Sequence, residues 1–385
     1  MTTSILLCPV CKESLQANES NKSLSCENNH SFDRARQGYL NLLLAHKKKS
    51  KNPGDSQEMV IARQAFLNSD FYRPISDSLN QIIVEAALKL DSAEKDSSEK
   101  DSSEKESPIQ VLDIGCGEGY YSQRMHHSLS DHQIEHNLFG LDISKDAVIA
   151  AAKRAKAEAL KQDVPTTNAC EWLVASAIDI PLQAQSIDIA TCLFTRLMPE
   201  SYHKVIKQDG LFICVNTGEK HLIELREKLY EEITKAEFDP VKNMGEDFEL
   251  VDHQQVSYQN TLSSQQQIQD LLLMTPHNWR TKADKKEALA SLEELTVTID
   301  AQIHVFKAKA KAVVIEEAVE EIAKEKPASS SNPWGKAAAA PSIKIDAEPV
   351  IEAAEEAQAE EAQTEEVKEE AATESTGKVN PWAKN

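Results

Sequence analysis

Apolar runs and amphipathic stretches alternate through the middle of the chain. Five short apolar runs predict strands: Ile109–Ile114, Leu138–Asp142, Trp172–Ala175, Ile187–Phe194 and Leu211–Asn216. Strands that alternate with helices are typical of a parallel sheet covered by helices. Further on, a helical pattern over Ser264–Met274 precedes a longer β-rich run, Leu295–Phe306. The pattern therefore predicts an α/β fold whose sheet ends in an antiparallel pair.

Two segments have too few apolar residues to contribute to a core. Asp91–Ser107 repeats the unit DSSEK between a helical pattern and the first strand, and predicts a disordered surface insert. Residues 311–385 are rich in Ala and Glu and are interrupted by five prolines. This composition predicts a disordered acidic tail, in which residues 312–325 could extend a helix.

The tail contains two similar words, NPWGK (Asn332–Lys336) and NPWAK (Asn380–Lys384). Each places one tryptophan in polar surroundings. A repeated word of this kind is either a docking motif for an unidentified protein partner or low-complexity drift, and the sequence leaves both open.

The formal net charge of −21 over 385 residues argues against a nucleic-acid partner, because binding to phosphate requires positive charge. The charge is unevenly spread, however. Acidic residues are concentrated in the tail, whereas a basic cluster near the N-terminus consists of Lys47, Lys48, Lys49 and Lys51. The charge of each domain is therefore more informative than the total.

No apolar stretch approaches the roughly 20 residues of a membrane span. The first ten residues reach Cys8 before they could form the apolar part of a secretory signal. We therefore expect a cytoplasmic protein with no membrane partner.

The most informative string in the predicted sheet is VLDIGCGEG (Val111–Gly119), in which an apolar strand runs into closely spaced glycines and then a helix. Glycine lets the backbone approach a ligand closely. The spacing GxGxG differs from the GxGxxG of dinucleotide-binding folds. It resembles the first motif of class I S-adenosylmethionine methyltransferases. The resemblance implies these cofactor-binding residues: Asp113, Gly115, Gly117, Glu118 and Gly119.

A second feature follows at a matching distance, where the strand Leu138–Asp142 ends in a carboxylate. This carboxylate can accept hydrogen bonds from both ribose hydroxyls. The alternative is that Asp142 caps the helix that begins near Lys145. A third, looser match is ASAIDIPL (Ala175–Leu182), which resembles the family segment along the adenine.

Four residues that could bind a metal lie close together in the first thirty residues: Cys8, Cys11, Cys26 and His30. Two short clips joined by a hairpin suit a tetrahedral Zn²⁺ site. Four protein ligands leave no open position, so such a zinc ion is structural rather than catalytic. The alternative is a set of redox-inert cysteines beside a chance histidine.

The zinc quartet is followed by a succession of specific words, namely SFDRARQGYLNLL (Ser31–Leu43), NPGDS (Asn52–Ser56), ARQAFLNSDFYRPI (Ala62–Ile75) and MTPHNWR (Met274–Arg280). This succession closely resembles the 23S ribosomal RNA guanine-N1-methyltransferases, over roughly residues 5–90 and 108–308. The resemblance implies a homodimer whose basic cleft receives an RNA hairpin. It also implies cofactor contacts through Tyr72 and His221. Without it, Tyr72 reads as a packing residue and His221 as a helix-start histidine.

These features predict five regions. They are a zinc-binding RNA-recognition module (1–45), a linker with a helical lead-in (46–90), the disordered insert (91–107), a Rossmann-like methyltransferase domain (108–310) and the acidic tail (311–385).

The predicted activity is transfer of a methyl group from S-adenosylmethionine to N1 of a guanine in a 23S rRNA hairpin. The sequence indicates no residue that would accept the N1 proton. RNA contacts are expected from basic residues near the zinc module and after the fourth strand: Arg34, Arg36, Lys47, Lys48, Lys49, Lys51 and Arg196. Solvated surface charges are the alternative for all of them. Two other functions remain open, a methyltransferase acting on a small molecule and a noncatalytic RNA-binding or assembly factor.

Overall fold

The computed structural model describes residues 5–48, 50–96, 107–162, 170–233 and 238–310. Most of the DSSEK repeat (97–106), Lys49 and the tail from residue 311 onward lie outside these ranges. The predictions of a disordered tail, of a helix over 312–325 and of two docking words therefore fall outside the described residues.

The main sheet has eight strands: β4 (Tyr39–Asn41), β5 (Ile109–Ile114), β6 (His136–Asp142), β7 (Glu171–Val174), β8 (Ile187–Leu193), β9 (Ile206–Thr217), β10 (Phe248–Leu262) and β11 (Leu295–Ala308). Their order across the sheet is β10-β11-β9-β8-β5-β6-β7-β4. Strands β4 to β9 are parallel to one another, β11 is antiparallel to β9, and β10 is antiparallel to β11. The predicted parallel sheet with an antiparallel end is confirmed.

A smaller antiparallel sheet precedes it, formed by β1 (Gln16–Ala17), β2 (Ser23–Ser25) and β3 (Ser31–Asp33). This sheet and the segments around it, residues 5–38, are called the zinc module below. A 3₁₀ turn over Ala45–Lys47 follows β4. The chain then enters the helices that lead into the main sheet.

The described residues contain ten helices: α1 (Gln57–Asn68), α2 (Arg73–Asp96), α3 (Tyr120–Asp131), α4 (Lys145–Gln162), α5 (Pro199–Val205), α6 (Ile223–Leu229), α7 (Pro240–Met244), α8 (Gln265–Leu273), α9 (His277–Arg280) and α10 (Ala283–Ala290). Serine side chains cap three of them. The hydroxyls of Ser56, Ser144 and Ser264 accept hydrogen bonds from the first turns of α1, α4 and α8. Across the described ranges, no helix is long and apolar enough to cross a membrane.

Helix α2 continues beyond the point at which disorder was predicted. It ends at Asp96, whereas the predicted insert begins at Asp91. The six added residues, DSAEKD, contain good helix formers and neither glycine nor proline, so nothing in them stops the helix.

One face of the main sheet is covered by helices. Phe66 of α1, Leu79 of α2, Met125 of α3, Leu225 of α6 and Leu271 of α8 are almost fully buried in a single cluster with strand residues. Helix α4 adds a smaller apolar cluster beside β7 that includes Trp172. Burial of these side chains supplies most of the driving force for folding this layer.

The zinc module packs on the other face of the sheet. The connection between β7 and β8, residues 175–186, contains no helix. Instead, Leu7 N–H donates to Pro181 O (2.9 Å) and Gln183 N–H donates to Ile5 O (2.9 Å). Apolar residues of the module share one buried cluster with residues of the sheet: Leu6, Leu15 and Leu24 with Leu112, Ile114, Leu141 and Ala190. The module therefore occupies the place of a covering helix.

Candidate zinc centre and cofactor site

The four predicted metal ligands converge. Cys8 Sγ lies 3.6 Å and Cys26 Sγ 3.4 Å from His30 Nδ1, while Cys11 Sγ lies 3.6 Å from Cys26 Sγ. All four ligand atoms lie within 4.8 Å of one another. A tetrahedral zinc ion implies ligand separations of about 3.5 Å between S and N and about 3.8 Å between two S atoms, given Zn–S of about 2.3 Å and Zn–N of about 2.0 Å. The donor set and its spacing therefore fit zinc.

Two tight turns place these ligands. Lys12 N–H donates to Cys8 O (2.9 Å) in the first turn, and Asn29 N–H donates to Cys26 O (3.0 Å) in the second. Lys12 and Asn29 both adopt positive φ angles, of 65° and 59°. Asparagine tolerates this conformation well. These two backbone turns thus bring the ligands of each clip close together.

The glycine turn after β5 presents its backbone to open space. Gly117 has a φ of 56°, and a Cβ built on it would meet only Arg63 Nη1, at 3.8 Å. Gly119 has a φ of 82° and lies against the protein, since a Cβ there would lie 2.9 Å from both Ala151 Cβ and Trp172 Cη2. Gly119 therefore allows close packing of the turn, while Gly117 leaves room for a ligand.

Asp142, at the end of β6, faces this open space. Its Oδ2 accepts from Gly117 N–H (3.0 Å) and its Oδ1 accepts from Ser144 N–H (2.7 Å). Burial raises the pKa of Asp142, and these two backbone hydrogen bonds oppose the rise. Ser144 caps α4, so the capping role considered for Asp142 belongs to Ser144. Each carboxylate oxygen retains a lone pair for a hydroxyl.

Asp113 is placed differently from the other residues of the motif. Its carboxyl group is 1% exposed. Its oxygens accept hydrogen bonds from Ser122 Oγ (2.5 Å) and Thr191 Oγ1 (2.8 Å). Burial raises the pKa of Asp113 to about 6. The side chain thus braces α3 and β8 beneath the glycine turn rather than lining the open space.

Glu118 is also buried, but only one of its oxygens is satisfied. Arg154 of α4 forms an ion pair with Glu118 Oε2. Glu118 Oε1 is buried and has no hydrogen-bond partner among the described residues. Burial raises the pKa of Glu118, and the nearby Arg154 guanidinium partly offsets this rise. A buried acceptor without a hydrogen bond lowers the stability of the fold, so its presence indicates that a bound ligand supplies the donor.

Arg63 of α1 supplies a cation at the open side of the glycine turn. Its guanidinium forms an ion pair with Asp55, and its Nη2–H donates to Met274 O (3.2 Å). It lies close enough to Asp142 and Glu118 to lower the pKa of each. Arg63 thus contacts one residue of the NPGDS segment, Asp55, and one residue of the MTPHNWR segment, Met274, beside the glycine turn.

The groups around the glycine turn match the chemistry of S-adenosylmethionine. That molecule carries an amino group, a carboxylate and two ribose hydroxyls, so it needs acceptors and a cation together. Asp142 and the unsatisfied Glu118 oxygen supply acceptors, Arg63 supplies the cation, and Gly117 leaves the room. These observations do not depend on any sequence resemblance.

Tyr72 and His221, both predicted to contact the cofactor, are hydrogen-bonded to each other. Tyr72 Oη lies 3.0 Å from His221 Nε2, and both residues are more than nine-tenths buried. Asp300 N–H donates to His221 Nδ1 (3.2 Å), so the proton of the neutral ring resides on Nε2. His221 therefore donates to Tyr72, and the Tyr72 hydroxyl hydrogen has no further acceptor among the described residues.

Burial sets the ionisation of this pair. It lowers the pKa of His221 to about 4, against smaller effects from Asp300 that raise it. It also raises the pKa of Tyr72 well above its ordinary value. Near neutral pH both groups are uncharged, and Tyr72 retains a hydroxyl hydrogen that it can donate.

The predicted RNA contacts occupy different environments. Arg34 forms a two-point ion pair with Glu171 of β7, at 2.5 and 3.1 Å, and is only partly exposed. Lys47 pairs with Asp179 at 2.6 Å. Arg36, Lys51 and Arg196 are exposed, Lys48 is half-buried, and Lys49 lies outside the described residues. Arg34 thus joins the zinc module to β7, and Lys47 joins the turn after β4 to the connection between β7 and β8.

Sequence reasoning missed two residues at this edge of the sheet, Arg63 and Phe194. Arg63 lies inside the word ARQAFLNSDFYRPI, but only its position beside Gly117 reveals a role. Phe194 reads as the last apolar residue of a predicted strand. The strand ends at Leu193, and the Phe194 ring lies 5.9 Å from that of Tyr72.

Comparison with known proteins agrees with both sites. Residues 6–51 match the zinc ribbon described as RlmA, N-terminal, and residues 105–294 match a methyltransferase domain. The 23S rRNA (guanine(748)-N(1))-methyltransferase of Streptomyces fradiae is 31% identical over 225 residues, which cover 58% of this chain and 67% of the relative.

Two further relatives differ in how much of the chain they match. Bacillus subtilis YxjB, named provisionally as a 23S rRNA (guanine-N1)-methyltransferase, is 28% identical over 306 residues, or 78% of this chain and 96% of the relative. The demethylmenaquinone methyltransferase of Oceanobacillus iheyensis is 28% identical over 127 residues, or 31% of this chain and 49% of the relative. The rRNA enzyme relationship is thus the more extensive one.

The metal is structural zinc and the cofactor is S-adenosylmethionine, because the ligand cluster, the zinc-ribbon match and the methyltransferase domain agree. The sheet is that of a class I methyltransferase. With these sites in one fold and the Streptomyces fradiae enzyme aligned over two thirds of its length, the chain belongs to the 23S rRNA (guanine-N1)-methyltransferase family.

Proposed function

We propose that this protein transfers a methyl group from S-adenosylmethionine to N1 of one guanine in a hairpin of 23S rRNA. The packing of the zinc module onto the sheet that carries the cofactor site supports the proposal most strongly. A small-molecule methyltransferase has no need of such a module. A noncatalytic RNA-binding factor needs neither the open glycine turn nor the carboxylates and the arginine around it that suit S-adenosylmethionine.

We assign the cofactor contacts as follows. S-adenosylmethionine, when bound, supplies an activated methyl group. Asp142 accepts from the ribose, the backbone at Gly117 borders the ligand, and Arg63 faces its carboxylate. The Tyr72 hydroxyl has a free hydrogen to donate, and His221 holds it in that orientation. Asp113 supports the turn from below.

Methylation at N1 requires loss of the N1 proton of guanine, so the site needs a route for that proton. His221 is unsuited to take it, because its Nδ1 lone pair accepts from Asp300 N–H and its pKa is about 4. Tyr72 is protonated and donates. The chain therefore contributes a neutral, preorganised donor at this position rather than a histidine base.

RNA binding is assigned to the exposed cations near the zinc module. Arg36 and Lys51 are exposed and free to meet phosphate, and Arg196 extends from the loop after β8. Each phosphate contact of this type steepens the salt dependence of binding by about 0.7 to 0.9 logarithmic units. Arg34 and Lys47 contribute through the fold, because Arg34 pairs with β7 and Lys47 with the connection between β7 and β8.

We retain the division into a zinc-binding RNA-recognition region (1–45), a linker with a helical lead-in (46–90), an insert (91–107) whose first six residues belong to α2, a methyltransferase domain (108–310) and a tail (311–385). The boundary at residue 45 separates functions rather than packing units, because β4 pairs with β7 inside the main sheet. We further propose that the protein acts as a homodimer in the cytoplasm, where its ribosomal substrate is made. The NPW words of the tail are proposed to bind a protein partner.

The proposal is tested by supplying isotopically labelled S-adenosylmethionine to the purified full-length protein together with unmodified 23S rRNA or with a quinone precursor. Label is expected in the RNA fraction and is expected to be lost on ribonuclease treatment. Asp142→Ala and Cys8→Ser should each abolish it. Label in the quinone alone would establish the small-molecule alternative, and cofactor binding without any transfer would establish the noncatalytic one.

A further inference from the structure

Phe194, the first residue after β8, departs from its neighbours in backbone and in exposure. Its φ is 52°, in the left-handed region that bulky residues rarely adopt. Its side chain is 36% exposed, whereas the preceding Leu193 is 8% exposed. A strained backbone that exposes a large apolar ring is not explained by packing, and strain of this kind is concentrated at functional sites.

The surroundings hold the ring in place. Phe194 N–H donates to Val215 O of β9 at 2.8 Å, so the strained backbone is fixed to the sheet. The ring lies 6.1 Å from the His221 imidazole with an interplanar angle of 27°, and 5.9 Å from the Tyr72 ring. Two buried rings therefore support Phe194 on one side, and about a third of the residue remains exposed to solvent.

The position of Phe194 relates it directly to the cofactor turn. The next residue, Thr195, touches that turn, since a Cβ built on Gly115 would lie 2.8 Å from Thr195 Cγ2. The carboxyl ends of β5, β6 and β8 meet at this edge of the sheet, where ligands bind in open parallel sheets. An exposed aromatic ring thus stands beside the place from which a methyl group is delivered.

We propose that Phe194 is a substrate-positioning residue whose exposed ring is the platform on which the target guanine stacks. This inference rests on the proposed function. A base inside a hairpin must leave its stack before its N1 can be reached. An aromatic side chain replaces the lost stacking, because every base has a flat π face. Its rigid support by Tyr72 and His221 holds the base in one plane.

The proposal is tested with full-length Phe194→Tyr and Phe194→Leu on an unmodified 23S rRNA hairpin that contains the guanine methylated by the wild-type protein. Tyrosine keeps the ring, and leucine keeps only apolar bulk. We expect kcat/KM of the tyrosine variant to stay near that of wild type. The leucine variant should lose about 5- to 150-fold, which corresponds to about 1–3 kcal/mol of base–aromatic stacking. Phe238→Leu, which alters an exposed aromatic ahead of α7, should match wild type.

Two further readouts separate stacking from other roles. S-adenosylmethionine affinity without RNA, measured by calorimetry, should be equal in all variants. A hairpin with 2-aminopurine in place of the target guanine should fluoresce more strongly with the leucine variant, because an unstacked base is less quenched. Loss of cofactor affinity in the leucine variant, or equal activity of leucine and wild type, would overturn this inference alone. Absence of methylation by the wild-type protein would overturn the proposed function as well.

The backbone strain provides a second test. Phe194→Gly relieves the left-handed conformation, whereas Phe194→Ala keeps it. We expect the glycine variant to melt at a higher temperature than the alanine variant, with both methylating poorly. Equal melting temperatures would contradict backbone strain at position 194. Full activity in either variant would contradict a role of the Phe194 ring in substrate binding.

Discussion

Asp113 and Asp142 lie at the carboxyl ends of neighbouring strands, Asp142 as the last residue of β6 and Asp113 one residue before the end of β5, but their surroundings assign them different roles. Asp113 is enclosed by two hydroxyl donors in the core, whereas Asp142 borders the open space above Gly117. A sequence motif treats both as cofactor residues. The two roles, structural support for Asp113 and a ligand contact for Asp142, differ only because the two side chains leave their strands in different directions.

This difference predicts opposite effects for two matched substitutions. Asp142→Asn should weaken S-adenosylmethionine binding by about 10- to 100-fold, because a hydrogen bond to a charged group contributes about 1.5–3 kcal/mol. Asp113→Asn should instead alter the free energy of unfolding without a comparable loss of affinity. Titration calorimetry and chemical denaturation of both variants measure the two effects. The assignment fails if Asp113→Asn lowers the affinity for S-adenosylmethionine more than Asp142→Asn does.

His221 predicts a specific pH dependence of stability. Its pKa is lowered from 6.5 to about 4 in the folded protein, so only the unfolded chain takes up its proton between those values. The stability it contributes is complete above about pH 6.5 and is lost as the pH falls toward about 4, at up to about 1.4 kcal/mol per pH unit.

His221→Gln removes this titration, so its free energy of unfolding should fall less steeply than that of wild type from pH 6.5 to 4.5. Urea denaturation at several pH values measures the slope. Parallel curves for the two proteins would contradict a neutral, buried His221.

At the scale of elements, six of the eight strands of the main sheet and the two predicted sites were accessible from the sequence, because buried strands and ligand spacings leave strong patterns. Strand β10 was not accessible, since only its end residues, Phe248 and Leu262, are buried and the residues between them are exposed or only partly buried. Strand β4 was also missed, because three residues are too short for a periodic signal. Phe194 was hidden because nothing in an apolar run marks the residue at which φ changes sign.

The ion pair between the turn after β3 and strand β7 predicts contrasting behaviour for two nearby arginines. Arg34 holds Glu171 at two points, and Arg36 is exposed. Arg34→Ala should lower the free energy of unfolding by about 1–3 kcal/mol, since it leaves a partly buried carboxylate without its partner. Its effect on the salt dependence of RNA binding should be small.

Arg36→Ala should show the reverse. Stability should stay within about 0.5 kcal/mol of wild type, as for most surface substitutions. The slope of RNA affinity against salt should become shallower by about 0.7 to 0.9. Denaturation and filter binding at several salt concentrations test the pair. A steeper loss of RNA binding in the Arg34 variant than in the Arg36 variant would reverse our assignment.

At the scale of the whole molecule, the zinc module is part of the core rather than an appended domain. It covers the sheet face that the helix-free connection of residues 175–186 leaves bare, and its leucines share a cluster with β5, β6 and β8. Sequence composition predicted the metal but not this packing, because contacts between segments that are far apart in the chain leave no local pattern.

This packing predicts that zinc removal affects the cofactor domain. A chelator, or Cys26→Ser, should expose the apolar face of the sheet. It should also lower the melting temperature of the zinc module and the main sheet together, and weaken S-adenosylmethionine binding. Calorimetry with and without zinc, combined with binding of a hydrophobic dye, measures these effects. An independent module would instead unfold separately and leave cofactor affinity unchanged, which would contradict the shared core.

The most direct test of the central claim is the chemical identity and position of the added methyl group. Unmodified 23S rRNA, treated with the protein and S-adenosylmethionine, is digested to nucleosides for mass spectrometry and is also read by primer extension. We expect N1-methylguanosine as the new nucleoside and a single stop at one hairpin guanine, because a methyl group at N1 blocks base pairing. A methyl group on another atom or another base, or stops scattered over many guanines, would contradict the account.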